Sequence, residues 1–274
     1  SEFSDANLIL QEQLYTNNGI LDNAGTPPCK FCHFHNGRIW IGGLEDSTTA
    51  WFSQPYVAGE QPRFNEALQL SIGPPVTAFA SMDETLLVFG ETSIFVIVGD
   101  GPPAIGGLDP GFEVATVSTD VGCIDMKSVV ELPTGVMFMS RKGLYHINRK
   151  LEVVWLGQPV KDTVDEFGGT IRGVTLLKNS PEGIWGMSRT STSARVVYNY
   201  IEDKWTVDTL GSQVTAITSA QYQGSWRLVY ATSAATLNFF AQKATPGASD
   251  KEPFSPVKLR TPQIKLNTLQ GWQA

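Results

Sequence analysis

Cys29-Lys30-Phe31-Cys32-His33, with His35 two residues on, gathers the metal-ligating side chains of this chain most densely. The spelling matches c-type haem attachment, and Cys with His also suits zinc. Haem attachment requires export, yet the opening residues SEFSDANLIL carry neither the basic n-region nor the apolar h-region of a signal peptide. In a strand, Cys29 and Cys32 point to opposite faces while His33 and His35 share the face of Cys29. Zinc needs the thiolates to converge, so the segment reads as an inner strand with buried thiols that binds neither metal nor haem.

Other chemistry-bearing residues are sparser. Cys123 follows Gly122 in a turn with no nearby His or Lys to activate it, which predicts a packed thiol. His146 lies between Tyr145 and Ile147 in a strand, with no Ser or Cys motif to serve as a base. Carboxylates group at Glu45-Asp46, at Asp83-Glu84, and at Asp162, Asp165 and Glu166. Glycoside hydrolysis needs two such groups flanking one bond. The first two groupings fall where turns between strands belong, and the third decorates the exposed side of a short helix. The glycines of GDGPPAIGG cannot cradle phosphate, because Pro102 and Pro103 remove backbone donors and no Lys-Ser/Thr follows. No GxSxG, HExxH or EF-hand pattern occurs. No catalytic, cofactor-binding or metal-ligating residue is assigned, and the chain is read as not an enzyme.

The elements that carry these residues repeat. Apolar runs led by a turn begin at Gly37, Thr85, Gly135, Gly183 and Gly224, at spacings of 48, 50, 48 and 41 residues. Each run has alternating neighbours, as in VTAFASMDE, TLLVFGE, SIFVIVGD and FEVATVST of the second unit. Asn36-Gly37 between two apolar runs signals a type I′ hairpin. A repeat of this length, all strand, predicts an all-β propeller of about five or more four-stranded blades over residues 1–242. One aromatic recurs in each second strand, at Trp40, Phe89, Phe138, Trp185 and Trp226, which predicts packing between blades. A single short helix is expected near residues 159–167, with Pro159 in its first turn, Val160, Val164 and Phe167 on one face, and Gly168-Gly169 as its stop.

Two strand candidates, LILQEQLYTN and GILDN, precede the first unit and read either as a closing piece or as the remnant of an upstream blade. Residues 99–111 form a long loop, and residues 243–256 have linker composition. Residues 257–274 read as the last propeller strand or the start of a further domain. Ser1-Glu2-Phe3 fits a cloning residue, and the chain reads as a fragment.

In 274 residues, 42% are apolar and 17% charged, ample for a core. Twenty-seven acidic against 20 basic residues give a formal charge of -7 with no dense Lys/Arg cluster. That balance argues against sequence-specific nucleic-acid binding. Three cysteines do not make a disulfide framework. Nowhere do about 18 consecutive apolar residues occur, so no membrane span is expected.

GRIWIGGLEDSTTAWFSQP, ETSIFVIVGDGPP and STDVGCIDMKSVVELPTGVMFMSRKGLYHINR, in that order, resemble the propeller region of tailed-bacteriophage virion proteins, the nozzle or stabilisation proteins that close a short tail below the portal. The matching elements are the strand from Arg38 to Gly43 with the following Trp-Phe-Ser, the Gly-Asp-Gly-Pro turn at 99–102, and the hairpin from Gly135 to Ile147 with Lys142-Gly143 at its tip. The resemblance covers roughly residues 27 to 160. It implies a structural tail component without cofactor, assembled around a DNA channel with other tail subunits and portal-side adaptor proteins. It further implies location in the virion tail, a passage through the host cytoplasm during assembly, and a homo-oligomeric ring in the parent. The isolated fragment is expected to be monomeric. Two other readings are a carbohydrate- or peptide-binding propeller and a propeller glycoside hydrolase.

Overall fold

A computed structural model describes residues 23–102, 111–167, 171–176, 182–189, 192–210, 213–222, 225–232 and 237–239. The segments 8–17 and 19–22, the Gly168-Gly169 stop, and everything from 240 onward lie outside the described residues.

Five antiparallel sheets follow one another along the chain. The first holds β1 (Phe31–His35), β2 (Arg38–Gly42), β3 (Thr49–Phe52) and β4 (Gln69–Ser71), in that order. The second holds β5 (Val76–Met82), β6 (Thr85–Gly90), β7 (Ile94–Val98) and β8 (Glu113–Ser118). The third comprises β9 (Val130–Leu132), β10 (Gly135–Ser140), β11 (Gly143–Asn148) and β12 (Val153–Trp155). The fourth comprises β13 (Ile171–Leu176), β14 (Glu182–Arg189), β15 (Thr192–Asn199) and β16 (Lys204–Leu210). Three strands of the fifth are described, β17 (Val214–Tyr222), β18 (Ser225–Thr232) and β19 (Leu237–Phe239).

Successive first strands abut: β1 meets β5, β5 meets β9, β9 meets β13, and β13 meets β17. Up-and-down sheets sharing an inner edge of first strands are the blades of a β-propeller, as the 48- to 50-residue spacing predicts. The strand period of two explains why the second strands are apolar throughout instead of alternating. In β6, Leu86 and Val88 pack with Trp40 and Phe52 of the first sheet. Leu87 and Phe89 turn the other way, toward Val136 and Phe138 of the third. Met137 and Met139 of β10 then face Trp185 and Val196 of the fourth. Each middle sheet is thus covered on both faces, and Phe89 meets Phe138 at a centroid distance of 4.8 Å. Trp40, Phe89, Phe138 and Trp185 are buried between blades as expected, whereas Trp226 is half-buried against the smaller cluster around Ile217.

Local chemistry sets the turns. Asn36 and Gly37 both take positive φ, at 43° and 71°, and join β1 to β2 as the expected two-residue hairpin. A register shift recurs near the start of the first strand in three blades, at Val76/Ala78, Ile171/Gly173 and Val214/Ala216. The repeated Val-Thr-Ala at 76 and 214 therefore marks the same bulge twice. The short helix α1 (Lys161–Glu166) continues a 3-10 turn at Gln158–Val160, and Val160, Val164 and Phe167 are buried as their spacing requires. No helix among the described residues is long and apolar enough to cross a membrane.

Candidate functional site

The densest polar grouping lies on the inner edge, where the first three blades meet. His33 and His35, two apart on β1, point to the same face, and both reach the Ser81 hydroxyl of β5: His33 Nε2 at 2.8 Å and His35 Nδ1 at 2.9 Å. Glu131 of β9 completes the group, its Oε1 accepting the Ser81 backbone N–H at 2.6 Å and lying 3.4 Å from His33 Nε2. Burial lowers the pKa of both imidazoles below the usual histidine range, against the opposing pull of Glu131. Ser, His and Glu side by side invite comparison with a catalytic triad, but the roles do not fit. In a triad the acid holds the ring nitrogen that the nucleophile does not use. Here Glu131 and Ser81 both approach His33 Nε2.

A second construction sits behind the β1–β2 hairpin. Arg38 is 4% exposed, and its guanidinium donates to three backbone carbonyls: Nε to Asp100 at 3.1 Å, Nη1 to Ser53 at 3.0 Å, and Nη2 to Pro102. The group also lies over the rings of Phe52 and Phe112, 5.7 and 5.8 Å from their centroids. Asn36 adds a bond to the Asp100 carboxylate. Burial lowers the pKa of Arg38, and the neighbouring Asp100 counters this. The Gly-Asp-Gly-Pro turn needs its first glycine, since Gly99 takes a φ of 108° and a Cβ there would lie 2.3 Å from the Gly111 carbonyl oxygen.

The residues singled out by sequence take these places. Cys29 and Cys32 are exposed, which corrects the expectation of buried thiols. Cys32 shares the outer face of β1 with Phe34, and among the described residues no further sheet packs on that face. The imidazoles lie on the face opposite Cys32, so thiols and imidazoles do not converge. Cys29, whose pKa burial and the nearby Cys32 raise, is a neighbour of Cys32, which corrects the expectation that the two point to opposite faces. Among the described residues, no three His, Cys, Asp or Glu side chains are placed to hold a metal ion. Cys123 is packed, as read, beside Ser128, and burial pushes its thiol up to about 12. His146 is half-buried, 3.4 Å from the Thr134 hydroxyl. Asp46 caps its own turn by accepting from the Thr48 amide and hydroxyl, and Asp83 pairs with Arg149. Asp162, Asp165 and Glu166 lie on the exposed side of α1, with Asp165 paired to Lys161.

Neither Ser81 nor Glu131 belongs to a local pattern of sequence. Their signal is phase within the repeat. His33 to Ser81 is 48 residues and Ser81 to Glu131 is 50, the spacings of the first three units themselves. Ser81 and Glu131 occupy one position of the blade, each opposite the second residue of the next strand, Leu86 and Val136, and His33 lies one residue off that register, opposite Trp40.

No protein-family model matches the sequence, and no curated protein sequence is significantly similar to it. Solved structures with similar chain paths include Hsv2 from Kluyvelomyces marxianus, at 10% identity and a TM-score of 0.45, covering 84% of this chain and 65% of that one. A luciferin-regenerating enzyme matches at 10% identity and a TM-score of 0.42, covering 77% and 74% of the two chains. A protein from Lactobacillus plantarum matches at 10% and 0.42, covering 76% and 68%. The chain thus spans just under two thirds of Hsv2. Likeness of this degree carries no function to this chain.

Proposed function

We propose that this propeller works through protein contacts, as a structural part of a tailed-phage tail that surrounds the DNA channel beside other tail subunits and portal-side adaptors. The Arg38 construction carries the reading. The strand from Arg38, the Trp51-Phe52-Ser53 run and the turn at 99–102 are the first two of the three stretches behind the phage resemblance, and they converge on one buried guanidinium. The third stretch, residues 118–149, contains the β10–β11 hairpin, whose Lys142 reaches Asp120 at the start of the same stretch at 2.6 Å. Residues held in common for such reasons hold a scaffold in shape.

The inner edge supports the same reading. Among the described first strands, Glu131 is the one carboxylate, where glycoside hydrolysis requires two. A net charge of -7 suits a wall that must not retain DNA by ion pairs. Quantitative mass spectrometry of phage particles from cells carrying the gene is the test. Peptides of this chain at a fixed stoichiometry to the portal are expected; their absence from particles, with glycan or peptide turnover by the purified protein, would contradict the proposal.

A further inference from the structure

We infer that His33, Ser81, His35 and Glu131 form a proton-operated clasp that ties the inner strands of the first three blades together and opens on acidification. The hydrogen-bond directions follow from counting protons. Ser81 Oγ has one hydrogen and meets two imidazole nitrogens, so it donates to one ring and accepts from the other. The Glu131 carboxylate beside His33 Nε2 calls for a proton on that nitrogen, which makes His33 the donor to Ser81. Ser81 then donates to His35 Nδ1. His35, accepting at Nδ1, keeps its proton on Nε2, and the Glu84 backbone nearby favours a protonated ring. One neutral ring on each side of one hydroxyl satisfies every donor in the chain.

A proton added to His35 Nδ1 breaks this order. Both rings then present N–H to Ser81 and its own hydrogen loses its acceptor; a second proton, on His33 Nδ1, places two cations across a single oxygen. The surrounding charges do not compensate. Glu131 on β9 is one carboxylate for two imidazoliums. Arg38, opposite His35 on β2, is itself cationic and its guanidinium is committed to the carbonyls of Ser53, Asp100 and Pro102. On β5 there is no charged side chain, and Glu84 participates through its backbone. The lowered pKa of both rings fixes the sign. Neutral rings are favoured in the folded state, so the contribution is full above the ordinary value of about 6.5 and is lost as pH falls below it.

Hydrogen exchange of the β1 and β9 amides, corrected for intrinsic rates, tests the clasp in the wild type and in a His33→Gln/His35→Gln double variant. Between about pH 7.5 and about pH 5 the wild-type amides are expected to exchange about fivefold faster, and those of the double variant less than about twofold. The same rise should persist in His146→Gln, which removes the third histidine of the chain. An unchanged wild type, or an equal rise in the double variant, overturns the inference. Should the double variant not fold, nitrogen-15 spectra of the wild-type imidazoles decide: His35 protonated on Nε2 with bare Nδ1 at neutral pH supports the clasp, and the other tautomer, or ordinary titration of both rings, refutes it.

Discussion

Arg38 is a cation with little access to water, and it is tolerated because its planar fork finds carbonyls in three directions. Hydrogen bonds from a charged donor are worth about 1.5–3 kcal/mol each, and carbonyls left without a partner cost a comparable amount. Lysine keeps the charge but offers a point where the site needs a fork. Arg38→Lys is therefore expected to lower unfolding stability by about 2–3 kcal/mol, read as a shift in the urea midpoint at unchanged slope. A loss below about 0.5 kcal/mol would show that the three carbonyls do not depend on this side chain. Cys29 and Cys32 illustrate the opposite outcome: chemically suggestive in sequence, both are exposed, and Cys32 lies on a face that no described sheet covers.

The elements depend on positions where a side chain has no room. Gly135 opens β10 at a φ of 145°, and a Cβ there would lie 2.1 Å from the Ile147 carbonyl oxygen of β11. Gly135→Ala is expected to cost about 2–4 kcal/mol by prying that pair apart, while Gly25→Ala, with open space around it, should change stability by less than about 0.5 kcal/mol. Equal melting temperatures for the two variants would contradict this account of the hairpin. Strand positions were legible in the sequence because blade-to-blade burial writes apolar runs such as Thr85 to Phe89 between Gly and Asp punctuation. The Asn36-Gly37 turn and the helix face of Val160, Val164 and Phe167 were legible for equally local reasons. The inner-edge group was not. His33, Ser81 and Glu131 come from three strands, and no window of sequence contains them; only the shared phase of the repeat points to them. The exposure of Cys32 was hidden too, since alternation says which residues share a face and not whether a neighbour covers it.

At the scale of the whole molecule, five sheets meet along an inner edge lined by histidine, serine, glutamate and threonine side chains that bond from blade to blade, as Thr175 does to Ser219 at 3.0 Å. Bonds of this kind fix the blades relative to one another, and ion pairs on the rim such as Lys142 with Asp120 add about 0–1 kcal/mol each. Rigid blades around a polar, weakly charged edge suit a part that surrounds a passage and meets its partners with its rim. Electron cryo-microscopy of purified phage tails from cells carrying this gene tests that account most directly. The account predicts a symmetric ring of copies around the DNA channel, each copy showing these five sheets as one propeller. Complete tail density with no place for these five sheets would contradict it.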